Sequence, residues 1–176
     1  DLSTGDFFVS EGSLQDVDKI IRSFAPNEII VQKKYLRNLE ASNFNIKSVK
    51  TYEDWVFTKD FAYETLNSQF DTLSLKGFGV EKMENSVIAA GAIMNYLKET
   101  MHNELNHICS IKKIDNSNYM WLDGFTIKNL ELIYAHNGTS LFDILNCCST
   151  HMGSRLLQRW IVLPLIDKAQ IDWRLN

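Results

Sequence analysis

The stretch from residue 119 to residue 165 constrains the fold most, because its short motifs predict one helix after another. Ser140 and Asp143 stand at the spacing of a capping box, in which a hydroxyl and a carboxylate bond free N–H groups at a helix start. Behind this cap, apolar residues recur at the spacing of one helix face: Leu141, Ile144, Leu145 and Cys148. A helix is therefore predicted to begin directly after Ser140.

A second helix is predicted to begin near Ser149 or Thr150 and to end at Pro164, because proline cannot continue a helix. One side of it carries apolar residues four apart: Met152, Leu156 and Trp160. Gly153 lies inside this helix, where glycine costs about 1 kcal/mol relative to alanine. We therefore expect another backbone to approach closely at Gly153.

The first hundred residues predict alternating strands and helices. A strand is predicted through Phe7 to Ser10 with a hairpin partner upstream, and a helix from Leu14 to just before Pro26. The apolar run Glu28 to Val31 predicts a strand buried on both faces, and Ile46 to Val49 predicts a third strand. Tyr52 to Phe57 is interpreted as an aromatic-rich connection.

Two longer helices are predicted next. Ala62, Leu66 and Phe70 form the apolar stripe of a helix that follows a cap at Thr58. The strongest helical pattern follows, with apolar or small residues on one face: Val87, Ala90, Gly91, Met94, Leu97 and Met101. A polar cluster around Asn116 then predicts a domain boundary.

Composition limits the possible functions. With 176 residues, 45% of them hydrophobic, the chain can bury a core. Its net charge of −4 argues against an independent nucleic-acid-binding domain, which carries a concentrated positive surface. No apolar run approaches the roughly 18 residues of a membrane span, and no signal peptide is evident. A cytoplasmic protein without a membrane partner is expected.

Several motifs in order resemble one known family. Residues 126 to 132 read Thr-x-x-Asn-Leu-Glu-Leu, residues 152 to 155 read Met-Gly-Ser-Arg, and residues 160 to 165 read Trp-x-x-x-Pro-Leu. This succession resembles the start of the core, or lever, domain of the MutS family of DNA mismatch-repair proteins. His151 stands where the family usually has proline, a change that bears only on local stiffness.

The N-terminal part resembles the connector domain of the same family. Residues 3 to 7 read Ser-Thr-Gly-Asp-Phe, and residues 75 to 79 read Leu-x-Gly-Phe-Gly. The resemblance implies an α/β fold: an RNase H-like connector domain over residues 1–116, with its first strand truncated, followed by an all-α start of the lever over residues 117–176. The chain lacks an initial Met and is expected to be a fragment of a bacterial MutS.

The resemblance also implies what this region does. Connector and lever join the mismatch-reading domain to the ATPase, and the connector docks MutL. The chain contains neither a Gly-x-x-x-x-Gly-Lys-Ser/Thr phosphate loop nor the Phe-x-Glu motif with which the family reads a mismatched base. We therefore expect no catalysis and no cofactor here. ATP, Mg²⁺, mismatched duplex DNA and a second MutS subunit belong to the full-length parent, expected in the bacterial cytoplasm on DNA.

Four residues are candidates for binding. Glu64 and Thr65 lie opposite the apolar stripe of their predicted helix, so they are the predicted partner-binding residues for MutL. Arg155 and Arg159 lie four apart on a helix and are predicted to contact phosphate or to form salt bridges.

Two alternatives stay open from the sequence. A MutS homologue outside mismatch repair would share the same motifs. An RNase H-like metal-dependent nuclease would need converging carboxylates, for which Asp1, Asp6 and Asp71 are available, although turn positions favour plain solvated acids. Adjacent Cys147 and Cys148 match no zinc spacing, and Cys148 is predicted to be a buried thiol.

Overall fold

The computed structural model describes residues 1–24, 26–40, 48–101, 105–114, 118–120 and 122–175. Its contacts divide the chain into two compact units. Unit 1 comprises Asp1–Ser13 and Pro26–Ile114, and unit 2 comprises Leu14–Ala25 and Asp115–Asn176.

Short strands and longer helices alternate in the first part of the chain, and the described residues of the last part form helices and one isolated bridge, so the fold is mixed α/β. In chain order the elements are β1 (Phe8–Val9), α1 (Leu14–Phe24), β2 (Ile29–Gln32), α2 (Leu36–Glu40), β3 (Val49–Tyr52), α3 (Lys59–Phe70), α4 (Glu84–Met101), β4 (Lys112–Lys113), α5 (Gly124–Asn129), α6 (Leu141–Leu145), α7 (His151–Val162) and α8 (Lys168–Leu175). Short 3-10 helices cover Lys33–Tyr35, Asp54–Phe57 and Leu75–Phe78. Within the described residues, no helix is both long and apolar enough to cross a membrane.

The strands of unit 1 form two parallel pairs. β1 pairs with β4, with Phe8 opposite Lys112, and β2 pairs with β3, with Ile29 opposite Val49. The strand that bonds β1 lies downstream and runs parallel, a partner that the sequence does not predict. The predicted upstream hairpin partner stays a prediction. β4 has no apolar alternation, since both of its lysines are exposed, and its sequence carries no strand signal.

The second strand pair also differs from prediction. All residues of β2 are half-buried rather than buried on both faces, because its pairing within the described residues is with β3 alone. β3 begins at Val49, so the predicted strand at Ile46 to Val49 overlaps it at one residue. Positions 46 and 47 lie outside the described residues.

The core of unit 1 lies between α3 and α4, as the apolar stripes predict. Ala62 and Leu66 of α3 and Val87 and Met94 of α4 are completely buried. Gly91 faces Ala62 so closely that a Cβ at Gly91 would lie 2.5 Å from the Ala62 Cα. The absence of a side chain at Gly91 is what allows the two helices to touch.

Two tyrosines tie the β2–β3 pair to α4. The Tyr52 hydroxyl donates a hydrogen bond to Glu99 at 2.7 Å, and the Tyr96 hydroxyl donates one to Glu28. Their rings meet edge to face with centroids 6.3 Å apart. Burial, followed by the bond to Glu99, raises the pKa of Tyr52 to about 12. The bond from Tyr96 lowers the pKa of the Glu28 carboxyl.

Tyr52 is accordingly expected to ionise only near pH 12, whereas an unfolded tyrosine ionises near pH ~10. Because the folded state keeps a proton that the unfolded state loses, this contribution to stability is complete below about pH 10 and declines as the pH rises through the folded pKa. Spectrophotometric titration of phenolate absorbance should show a late phase that is missing in Tyr52→Phe. Loss of an early phase in that variant instead would contradict the assignment.

Helix starts in unit 2 follow the predicted caps. The Ser140 hydroxyl accepts from Asp143 N at 3.1 Å while Asp143 Oδ2 accepts from Ser140 N, which confirms the capping box. The Ser140 hydroxyl bond, followed by the backbone bond, lowers the pKa of Asp143. Thr150 caps α7 by accepting from Gly153 N at 3.1 Å. An isolated antiparallel bridge joins Tyr119 and Leu165.

Two expectations for unit 2 are wrong. α6 ends at Leu145, so Cys148 no longer lies on its apolar face, and Cys147 and Cys148 are both exposed. A Cβ at Gly153 would meet side-chain atoms of Thr150 at 3.3 Å and Cys148 at 3.5 Å, not another backbone. Gly153 therefore makes room for the cap of its own helix.

Candidate functional site

The exposed side of α3 is the surface on which the predicted partner-binding residues lie. On a helix that turns 100° per residue, the outward positions fall within one sector opposite Ala62 and Leu66. We call this surface the α3 face; it comprises Asp60, Phe61, Glu64, Thr65 and Ser68. Glu64 is exposed and Thr65 is half-buried. Their contact with a partner stays a prediction.

An aromatic pair adjoins the α3 face. The Trp55 ring meets the Phe61 ring edge to face, with centroids 5.1 Å apart and planes at 82°. Trp55 is nevertheless 58% exposed. The turn that carries it is held from both sides, because Val56 is completely buried and the Thr58 hydroxyl donates to Trp55 O at 2.9 Å. The indole is thus fixed in place while most of its surface faces solvent.

The charge on the α3 face is negative. Within the described residues, neither Asp60 nor Glu64 forms an ion pair. The lysine next to Asp60 in sequence, Lys59, bonds Glu84 at 3.0 Å. The bond to Glu84 and the attraction of that carboxylate raise the pKa of Lys59, and the charge of Asp60 adds a smaller effect in the same direction.

The sequence pattern does not single out Trp55, which lies beside the α3 face. Its segment is interpreted as a connection, and a tryptophan there predicts burial as readily as exposure. The available signal is the aromatic content of residues 52 to 57, which exceeds what a short connection needs. In the fold, Val56 is completely buried while its neighbour Trp55 is mostly exposed.

The predicted phosphate or salt-bridge residues lie on α7 in unit 2. Arg155 is exposed and Arg159 is half-buried, and each takes part in a non-covalent interaction in the fold. On the neighbouring α8, the Arg174 guanidinium lies over the Trp160 ring, 4.6 Å from its centroid. The role of Arg155 and Arg159 towards phosphate stays a prediction.

The carboxylates considered for a nuclease have other functions in the fold. Asp6 pairs with Lys112 at 3.2 Å, and Asp71 ends α3 with a left-handed backbone, at φ 49°. Asp1 is exposed and accepts bonds from Ser3 in its own turn. Across the described ranges, no group of three or more His, Cys, Asp or Glu side chains is placed to hold a metal ion.

Comparison with known proteins decides the family. The model of MutS domain II matches residues 1–109, and that of MutS domain III matches residues 125–176. The chain belongs to the MutS family. The resemblance found in its motifs is thereby confirmed, and the α3 face lies within the domain II match. The predicted boundary between residues 116 and 117 falls in the unmatched segment and stays a prediction.

Similar MutS proteins come from several bacteria. The chain is 44% identical to the DNA mismatch repair protein MutS of Christiangramia forsetii, over 100% of this chain and 20% of that protein. It is 44% identical to the MutS of Flavobacterium psychrophilum, over 99% of this chain and 20% of that protein. It is 41% identical to the MutS of Cytophaga hutchinsonii, over 100% of this chain and 21% of that protein. The chain therefore spans about one fifth of the length of these curated MutS relatives.

Proposed function

We propose that this chain is the connector and the start of the lever of a bacterial mismatch-repair MutS, and that it docks MutL through the α3 face. The observation that carries the docking proposal is the asymmetry of α3, whose Ala62 and Leu66 side is completely buried while Glu64 on the other side is exposed. A helix held rigidly on one side presents the other side with little ordering cost on binding.

The chain itself is proposed to be non-catalytic. Its work is to join a mismatch-reading domain to an ATPase domain, both outside these residues, in a parent protein that binds ATP, Mg²⁺, mismatched duplex DNA and a second MutS subunit. The proposed setting is the bacterial cytoplasm, on DNA. The match to relatives named as DNA mismatch repair proteins favours this role over a homologue outside repair.

Rigid packing supports a mechanical role. The close contact between Gly91 and Ala62 locks α3 against α4. Helices packed in this way move as one body, so a rotation imposed on α3 also rotates α4. An RNase H-like arrangement is part of the proposal for residues 1–116, supported by the mixed α/β elements and by the domain II match.

Reversal of charge at Glu64 tests the docking proposal. In the full-length parent, Glu64→Lys is expected to weaken MutL recruitment about tenfold, which corresponds to about 1.4 kcal/mol. Binding of mismatched DNA should stay unchanged. The measurement is MutL recruitment to parent protein loaded on surface-bound mismatched DNA in the presence of ATP, with DNA loading recorded in the same trace.

Glu81→Lys is the control, because its carboxylate is also exposed and belongs to the same unit but lies outside α3, where it pairs with Lys76 at 3.6 Å. This control should recruit MutL normally. Recruitment that is unchanged in Glu64→Lys would refute docking at this surface. A parallel loss of mismatch binding would mean that the substitution acts on the whole protein instead.

A further inference from the structure

We propose that the Trp55–Phe61 pair and the carboxylates of Asp60 and Glu64 form one recognition site for a protein segment that carries an apolar side chain beside lysine or arginine. This inference rests on the proposed docking at the α3 face and names the chemistry of the segment that docks there. The site combines an apolar contact, formed by Trp55 of the preceding 3-10 helix and Phe61, with an ionic contact in the first two turns of α3.

The aromatic half of the site is exposed and preorganised. Trp55 is 58% exposed, although its ring meets Phe61 edge to face. The buried Val56 and the bond from Thr58 to Trp55 hold the turn. Tryptophans fixed in this way are typical energetic centres of protein interfaces, because their burial costs little conformational entropy.

The ionic half of the site indicates the charge of the occupant. Asp60 and Glu64 lie four apart on α3, where like charges oppose helix formation. The helix dipole compensates Asp60 in the first turn, but Glu64 lies beyond its reach. Lys59 is bonded to Glu84, and its charge also acts on the neighbouring Asp60. Glu64 forms no ion pair within the described residues, so a lysine or arginine from outside can pair with it and stack on the Trp55 ring.

Separate variants of the two halves test the proposal, with MutL as the probe and the full-length parent on mismatched DNA as the receptor. Trp55→Ala is expected to weaken MutL binding about tenfold at every salt concentration, because it removes apolar contact. The double variant Asp60→Asn, Glu64→Gln is expected to lose about as much at low salt and to reduce the salt dependence of binding, because it removes ionic contact.

Two further variants test whether the site prefers a positively charged partner and whether any loss of binding is specific to this site. Trp55→Lys keeps an aliphatic stem over Phe61 and adds a positive charge, so it should bind more weakly than Trp55→Ala at low salt. Leu73→Ala, which removes a completely exposed apolar side chain outside the α3 face, should bind like the wild type. Circular dichroism and thermal melting check that each variant is folded.

The outcomes separate this inference from the docking proposal beneath it. Normal binding by Trp55→Ala, or by the double variant, with reduced binding by Glu64→Lys would overturn the two-part site and leave docking at α3 standing. Failure of the wild-type parent to bind MutL would refute both. Reduced binding in both variants, with altered salt dependence only in the double variant, supports the site.

Discussion

Replacing Leu66 with alanine is expected to destabilise unit 1 by about 2–5 kcal/mol, because the side chain is removed from a filled core and leaves a cavity. Leu66 is completely buried, and it lies in one apolar cluster with Val87 and Met94 of α4. Unfolding in urea, followed by circular dichroism, should show a lower midpoint with an unchanged slope.

Leu73→Ala is the matched control, seven residues further along the same chain. Leu73 is 100% exposed, so the same chemical change should shift stability by no more than about 0.5 kcal/mol. Equal effects of the two substitutions would mean that the packing of α3 described here is wrong. Both variants replace leucine with alanine, so the difference between their free energies of unfolding measures the effect of burial.

Gly91→Ala is expected to have two opposite effects on stability, one through helix propensity and one through packing. Propensity favours alanine by about 1 kcal/mol in the interior of a helix. A Cβ at position 91, however, would lie 2.5 Å from the Ala62 Cα and 2.6 Å from the Ala62 Cβ. Backbone atoms of a packed helix cannot swing aside, so we expect a net loss of about 1–3 kcal/mol. Thermal melting of unit 1 should detect this loss as a lower midpoint.

Gly77→Ala is the control for this substitution, because a Cβ at Gly77 would meet no atom within 4 Å. Its backbone also lies outside the left-handed region, so alanine is tolerated there. This variant should be neutral or more stable by up to about 1 kcal/mol, since alanine restricts the unfolded chain. A Gly91→Ala protein as stable as Gly77→Ala would disprove the close contact of α3 with α4.

The helices and the family could be read from the residues because their signals are local. The caps at Ser140 and Thr150 lie within three residues of the N–H groups that they bond. The stripe of α4 repeats at the helical period over its whole length. Family motifs have the same property, since each occupies a few neighbouring residues. No information about distant segments was needed for these predictions.

The strands show where local signals end. β1 and β4 have two residues each, so neither has enough length for a period to appear. Their pairing joins residues almost at opposite ends of unit 1. Parallel partners are separated by a long connection in the chain, so the residues next to β1 carry no signal for β4.

Only part of the candidate site could be predicted from the sequence. The outward direction of Glu64 followed from the stripe of Ala62 and Leu66, because all three lie on one helix. The position of Trp55 against Phe61 depended on how a separate turn packs, and no pattern within α3 contains that information. Cys148 does not lie on the apolar face of α6 as predicted, because α6 ends at Leu145, earlier than the apolar spacing suggests.

The residues alone determined the caps at Ser140 and Thr150, the apolar stripes of α3 and α4 and the family, since neighbouring residues carry all of that. The predicted cap at Thr58 is wrong in one respect, because its hydroxyl donates to Trp55 O and makes no bond to a backbone N–H of α3. The stripe of α3 already placed Leu66 on the inner face, but only the tertiary structure decided the burial of apolar side chains outside such stripes. Leu66 and Leu73 are the same amino acid, yet one is completely buried and the other completely exposed. Burial depends on which distant segment lies opposite, and that segment is chosen by packing of the whole unit.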